Sequence, residues 1–186
     1  MKATSEVAVV ATFTALIVGS DLALSGPEFS NIKLLDTLVF VSAYLFGLKV
    51  GASVGILSET IWSFASPAGT AGAFALFLVA GELLFALAGY AASRVWRSRE
   101  GSGYPNPLFV GALLALCAFV WDLETNAATA MVGFWPGVTA AEMLATMFNP
   151  LTLAFALAHE GSDFIFGALL APTFITLITK VSRRRL

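Results

Sequence analysis

The sequence predicts an all-α membrane protein with six transmembrane helices, and three observations carry that expectation. Of its 186 residues, 58% are hydrophobic and only 12% are charged, where soluble domains run about 45–50% apolar and roughly 25% charged. Its mean hydropathy is +0.86, and a chain this small cannot bury so much apolar surface in one water-solvated core. The apolar residues also fall into runs of about 20, the length of helix that crosses roughly 30 Å of hydrocarbon. These features exclude a soluble enzyme, a nucleic-acid binder and a disordered chain. The net charge of −2 decides little, because in a membrane the position of each charge matters more than the sum.

The first span is expected over about 5–24, ended by Pro27. Its positive flank is the single Lys2 and no A-x-A site closes it, so it reads as a retained span and not as a cleaved signal peptide. The second span covers about 31–48 and the third about 49–66, where Ser66-Pro67-Ala68-Gly69 makes a turn. The fourth covers about 71–94, followed by a polar, breaker-rich link from Arg97 to Pro105. The fifth covers about 107–134 and stops at Trp135-Pro136-Gly137. A short amphipathic helix at about 138–148 precedes Asn149-Pro150, and the last span covers about 160–181. Residues 1–186 make one integral membrane domain.

Basic residues orient the bundle. With six spans and both termini in the cytoplasm, Lys2, Lys49, Arg94, Arg97, Arg99, Lys180, Arg183, Arg184 and Arg185 all fall on the cytoplasmic side, as the positive-inside rule requires. Only Lys33 lies outside. Five or seven spans would put the Arg94 and Arg183 clusters on opposite sides.

Twelve acidic residues need an account, since each ionised group in hydrocarbon costs several kcal/mol. Glu6 suits the positive end of the first helix dipole, and Glu100 lies in the cytoplasmic link. Asp21, Glu28 and Glu142 read as helix-end caps at headgroup depth. Asp36 falls about one turn into the second span. Glu59, Glu82 and Asp122 are too deep for capping, with Asp122 about 15 residues, roughly 22 Å, beyond Pro107. Glu160 and Asp163 open the sixth span. The acids therefore crowd into the outer half, which points to a pocket open outward and closed below. A continuous pore would need polar lining in both halves.

Two polar patches stand out. Asp122, Thr125, Asn126 and Thr129 recur at i, i+3, i+4 and i+7 and share one helical face beside Trp121. That face must point into the bundle, as ligand contact or as interhelical glue. His159-Glu160 with Asp163 is the second patch. A lone histidine makes no metal set, so neither a metal nor a cofactor is expected. The single cysteine, Cys117, reads as filler in an apolar helix. Small residues repeat every four positions at Ala11, Ala15 and Gly19, and again at Gly47, Gly51 and Gly55. The first stripe serves either internal packing or the docking of a partner helix.

With these pieces assembled, the chain resembles the substrate-binding S component of energy-coupling-factor vitamin transporters. Asn31-Ile32-Lys33-Leu34, Phe46-Gly47 and Gly51-Ala52-x-x-Gly55 look like that family's second and third helices. Trp121-Asp122-Leu123-Glu124-Thr125-Asn126 is similar to its aromatic-Asp-Leu-x-Thr-Asn stretch, and His159-Glu160-Gly161-Ser162-Asp163 through Leu170-Ala171-Pro172 to its sixth helix. Asp163 departs from the family, where many members carry Asn. The likeness implies a binding protein without enzymatic activity in a prokaryotic plasma membrane, working with a T component and two ATPases. Ala11 and Ala15, with Gly19 beyond them, would dock the T component. No G-x-x-x-x-G-K-[ST] loop occurs, so ATP would be handled by the partners. The candidate substrate residues are Lys33, Glu59, Trp62, Glu82, Trp121, Asp122, Thr125, Asn126, His159, Glu160 and Asp163. Acids beside tryptophans suit a small cationic or aromatic nutrient, since ring faces attract cations. The rival readings are an autonomous ion-coupled carrier relaying cations through Glu59, Glu82 and Asp122, and a structural or assembly membrane protein.

Overall fold

A computed structural model describes residues 3–24, 32–67, 69–97, 105–133 and 139–183. Among these residues seven α-helices follow in order: α1 (Ala3–Leu24), α2 (Leu35–Phe46), α3 (Leu48–Ala65), α4 (Ala75–Arg97), α5 (Pro107–Gly133), α6 (Ala140–Met147) and α7 (Pro150–Arg183), with one 3-10 turn at Gly72–Phe74. Among the described residues, four stretches are long and apolar enough to cross a bilayer: Ala3–Leu24, Gly72–Trp96, Pro107–Thr129 and Pro150–Val181. The fold is that of an all-α membrane protein. Glu28, Asn31, most of the polar link after Arg97, the Trp135-Pro136-Gly137 turn and the terminal arginines Arg184 and Arg185 lie outside the described residues.

Two elements differ from the spans that hydropathy suggests. The second is shorter, because residues 32–34 are not helical and α2 has only 12 residues, or about 18 Å at 1.5 Å per residue. Every residue from Leu35 to Tyr44 is buried, so protein and not lipid surrounds α2 on all sides. It packs among α3, α4 and α7. The last helix is longer, with 34 residues from Pro150. Asn149 Oδ1 accepts from the amides of Leu151 and Thr152, both at 3.0 Å. Asn149 thus caps a helix whose first position is a proline, where the missing N–H costs nothing. Asn106-Pro107 starts α5 the same way, with Asn106 Oδ1 accepting from Leu108 at 2.9 Å.

The tight turn between α2 and α3 rests on Gly47, whose φ of 97° lies in the region only glycine enters freely. The second small-residue stripe serves packing, since a Cβ at Gly51 would collide with Ala43, and one at Gly55 would meet Glu82 and Val39. The first stripe does not pack inward. Phe13, Thr14, Ile17 and Asp21 form the buried face of α1, while Ala11, Ala15 and Gly19 are exposed on the other side. Three hydroxyls on the outer faces of the apolar helices keep their donors satisfied. Thr12, Thr60 and Thr173 each donate to the carbonyl four residues back, which a lipid environment demands.

Candidate functional site

Every buried charged side chain among the described residues lies toward one end of the bundle, where α1 finishes and α2 begins. They are Asp21, Lys33, Asp36, Glu59, Glu82, Asp122, His159 and Asp163. Asp36 is the second residue of α2 and Glu59 falls in the last two turns of α3. Glu82 is two turns into α4, and Asp122 three turns before the end of α5. Toward the other end the buried polar groups are hydroxyls, such as Ser42 and Ser93.

His159 ties the cluster together. Its Nε2 lies 3.1 Å from Asp36 Oδ2, and its Nδ1 lies 3.2 Å from Asp122 Oδ2. Asp163, one turn along α7, brings Oδ2 to 3.9 Å from the same Nε2. The imidazole is 1% exposed, and Trp121 packs against it nearly at right angles with ring centroids 5.1 Å apart. Asp36, His159 and Asp163 each offer a donor atom within 4.8 Å of the others, so a metal-capable set exists although the chain has a single histidine.

Lys33 forms the second half of the site. It arrives from the segment before α2, and its Nζ sits 3.6 Å from Glu59 Oε2 and 5.2 Å from the Trp121 ring centroid. Ser63 donates to the other Glu59 oxygen at 3.4 Å. Trp121 is held by its indole N–H, which donates to the Leu78 carbonyl at 3.3 Å. It also needs Gly81 beneath it, where any Cβ would overlap the indole.

Two cavities flank Trp121. One, of about 260 Å³, is lined by Asp122, Thr125, Asn126 and Thr129 of α5 with Thr152 and Phe155 of α7. The other, of about 280 Å³, is lined by Lys33, Glu59, Trp62 and Ser63 with the loop at Gly69–Ala71. Both touch Leu78 and Trp121. Together they draw their walls from α3, α4, α5 and α7.

Most candidate residues read from the sequence converge here. Lys33, Glu59, Trp62, Trp121, Asp122, Thr125 and Asn126 line the cavities, with His159, Glu82 and Asp163 buried behind them. Thr125 spends its hydroxyl proton on the Trp121 carbonyl at 2.9 Å, leaving the oxygen as an acceptor. Glu160 is only half-buried, because one residue on from His159 turns it about 100° away. Asp36 is the residue sequence reasoning passed over. The available signal was α2 itself, a segment apolar on every face whose one acid had to point into protein. Asp21 is also buried in protein and accepts from the Leu34 amide at 2.8 Å. It fastens the entry to α2, which explains its burial so near a helix end. No family model, curated protein or solved structure matches the chain.

Proposed function

We propose that this chain is the membrane-embedded binding subunit of an uptake system for a small water-soluble, vitamin-like nutrient, of the energy-coupling-factor S-component type. One observation carries the reading: two small cavities meet at Trp121 above a buried carboxylate cluster confined to one end of the bundle. A binding protein needs such a blind pocket, whereas a pore needs polar lining from end to end. In this reading both termini are cytoplasmic and the pocket opens outward. The bundle crosses six times, with the short α2 sheltered inside protein. Carboxylates facing an aromatic wall favour a cationic or ring-bearing ligand. The exposed Ala11, Ala15 and Gly19 face then meets a T component, and two ATPases supply the energy.

A second reading has its own support. The Asp36–His159–Asp122 chain joins three helices through one imidazole, and such chains relay protons in ion-coupled carriers. Reconstitution separates the two. Native mass spectrometry of the purified protein is expected to find one small molecule per chain. Liposomes holding this chain alone are then expected not to accumulate that molecule, while adding a T component, ATPases and ATP restores uptake. Accumulation by the chain alone, driven by an ion gradient, would overturn the binding-subunit reading in favour of the carrier.

A further inference from the structure

We propose that Asp36, His159 and Asp163 bind a divalent first-row transition-metal ion, of the Zn²⁺ or Co²⁺ kind, behind Asp122 in the buried cluster. The site goes beyond the uptake reading and does not depend on it. Donor atoms about 2.0–2.2 Å from a shared metal stand roughly 3–3.5 Å from one another. His159 Nε2 is already 3.1 Å from Asp36 Oδ2 and 3.9 Å from Asp163 Oδ2, so small side-chain rotations complete the set. The partner on the far side of the ring is also right. Asp122 takes the hydrogen bond at Nδ1, the carboxylate–histidine arrangement that aims the other nitrogen at a metal.

A second observation points to the ion independently. Asp36 Oδ1 and both oxygens of Asp163 are buried without a hydrogen-bond partner, and Asp163 is fully buried. Orphaned acceptors are rare in folded proteins because each one forfeits its hydration. The three on Asp36 and Asp163 lie beside one imidazole without a hydrogen bond of their own, and a divalent cation supplies the partner they lack. The donor set selects the class of ion. One imidazole with dry carboxylates suits borderline first-row metals, whereas Mg²⁺ and Ca²⁺ prefer all-oxygen shells that retain water. Entry runs through the cavity of about 260 Å³ that Asp122 lines.

The test uses untagged full-length protein in detergent, stripped with a chelator and then titrated with Co²⁺ alone. One Co²⁺ per chain is expected, with a visible absorption band that one equivalent of Zn²⁺ displaces and a raised thermal midpoint. Asp163→Asn and His159→Gln should each weaken binding about tenfold or more, since even outer-shell partners are worth that much. Glu6→Gln, near the opposite end of α1, should leave it unchanged. If both site variants fail to fold, the wild-type stoichiometry and displacement decide the matter alone. A folded wild-type chain that retains neither Co²⁺ nor Zn²⁺ overturns the proposal, as does a folded Asp163→Asn variant with undiminished affinity.

Discussion

Asp36 and His159 are 123 residues apart in the chain and meet at 3.1 Å inside the bundle. The contact closes α2 against α7, and the other ring nitrogen of His159 extends it to Asp122 on α5. Three helices thus share one buried imidazole. Because the partners are dry, losing the imidazole strips Asp36 and Asp122 of the ring that both contact.

His159→Ala is therefore expected to cost about 3–5 kcal/mol of unfolding free energy, the usual result of stripping one partner from a buried pair. Asp36→Asn in the same background should cost much less than it does alone. A double-mutant cycle by denaturant titration in detergent measures this. Coupling below about 0.5 kcal/mol would mean the two side chains act independently and the 3.1 Å contact is not maintained.

The exposed stripe on α1 gives a prediction of opposite character. Ala11 and Ala15 lie on the surface, and replacing them together with Leu should leave thermal stability nearly unchanged, within about 0.5 kcal/mol per site. Under the binding-subunit reading, uptake in cells supplied with a T component and ATPases should be lost, because added bulk blocks close helix approach. If the double variant loses ligand binding in detergent instead, the stripe supports the fold and not a partner.

Hydropathy located most helices because a lipid-facing segment must be long and apolar, a constraint each span obeys locally. It misjudged α2 and α7 for physical reasons. Nothing in Ile32-Lys33-Leu34 marks it as non-helical, although Lys33 is drawn inward to Glu59. The start of α7 was written in Asn149-Pro150, a cap followed by a first-position proline. The face of Asp122, Thr125, Asn126 and Thr129 was readable from period alone, and all four line one cavity. The pairing of Asp36 with His159 was not, since periodicity within one helix says nothing about which distant helix it will face.

The number of crossings can be read by labelling. In a Cys117→Ala background, a cysteine at Thr70 should react with an impermeant thiol reagent from outside intact cells. Thr70 is exposed and avoids Gly69, whose φ of 110° makes any replacement strained. A cysteine at Gly101 should react only after the membrane is opened. Reaction at Gly101 from outside would sink the six-crossing topology.

Helix α6 offers a pH test outside the spans. Thr139 and Glu142 form a reciprocal cap, with the Thr139 amide and hydroxyl donating to Glu142 Oε2 at 2.9 and 2.8 Å. The Thr139 amide, followed by its hydroxyl, holds the Glu142 carboxyl below the usual carboxylate range. A lowered folded value means the cap contributes fully above the ordinary glutamate pKa of about 4.3. That contribution is lost as pH falls through the lowered value. Hydrogen exchange of the α6 amides, corrected for intrinsic rates, should show steady protection at neutral pH and a decline below about pH 4. Glu142→Gln keeps the geometry without the titration and should flatten the profile. An identical decline in that variant would place the pH response elsewhere.

The charge of the ligand can be read from Lys33. Its ammonium lies 3.6 Å from Glu59 and 5.2 Å from the centre of the Trp121 ring, the same two partners that would recognise a cationic nutrient. Under the binding-subunit reading, Lys33 fills that place in the ligand-free protein and a cationic ligand competes with it. Lys33→Met removes the competitor but leaves Glu59 buried and unpaired, at a cost of about 3–5 kcal/mol in the ligand-free state. Some of that cost is recovered when a cation binds. Affinity for a cationic molecule should therefore rise about tenfold or more, each tenfold step corresponding to about 1.4 kcal/mol. Lys33→Met with Glu59→Gln should restore stability and abolish the gain. An anionic ligand reverses the sign, because Lys33 is then the group that holds it. Calorimetry with the co-purifying molecule, on wild type and both variants at one pH, decides between them. If Lys33→Met loses all binding while the protein stays folded, the ligand is held as an anion and the cationic assignment fails.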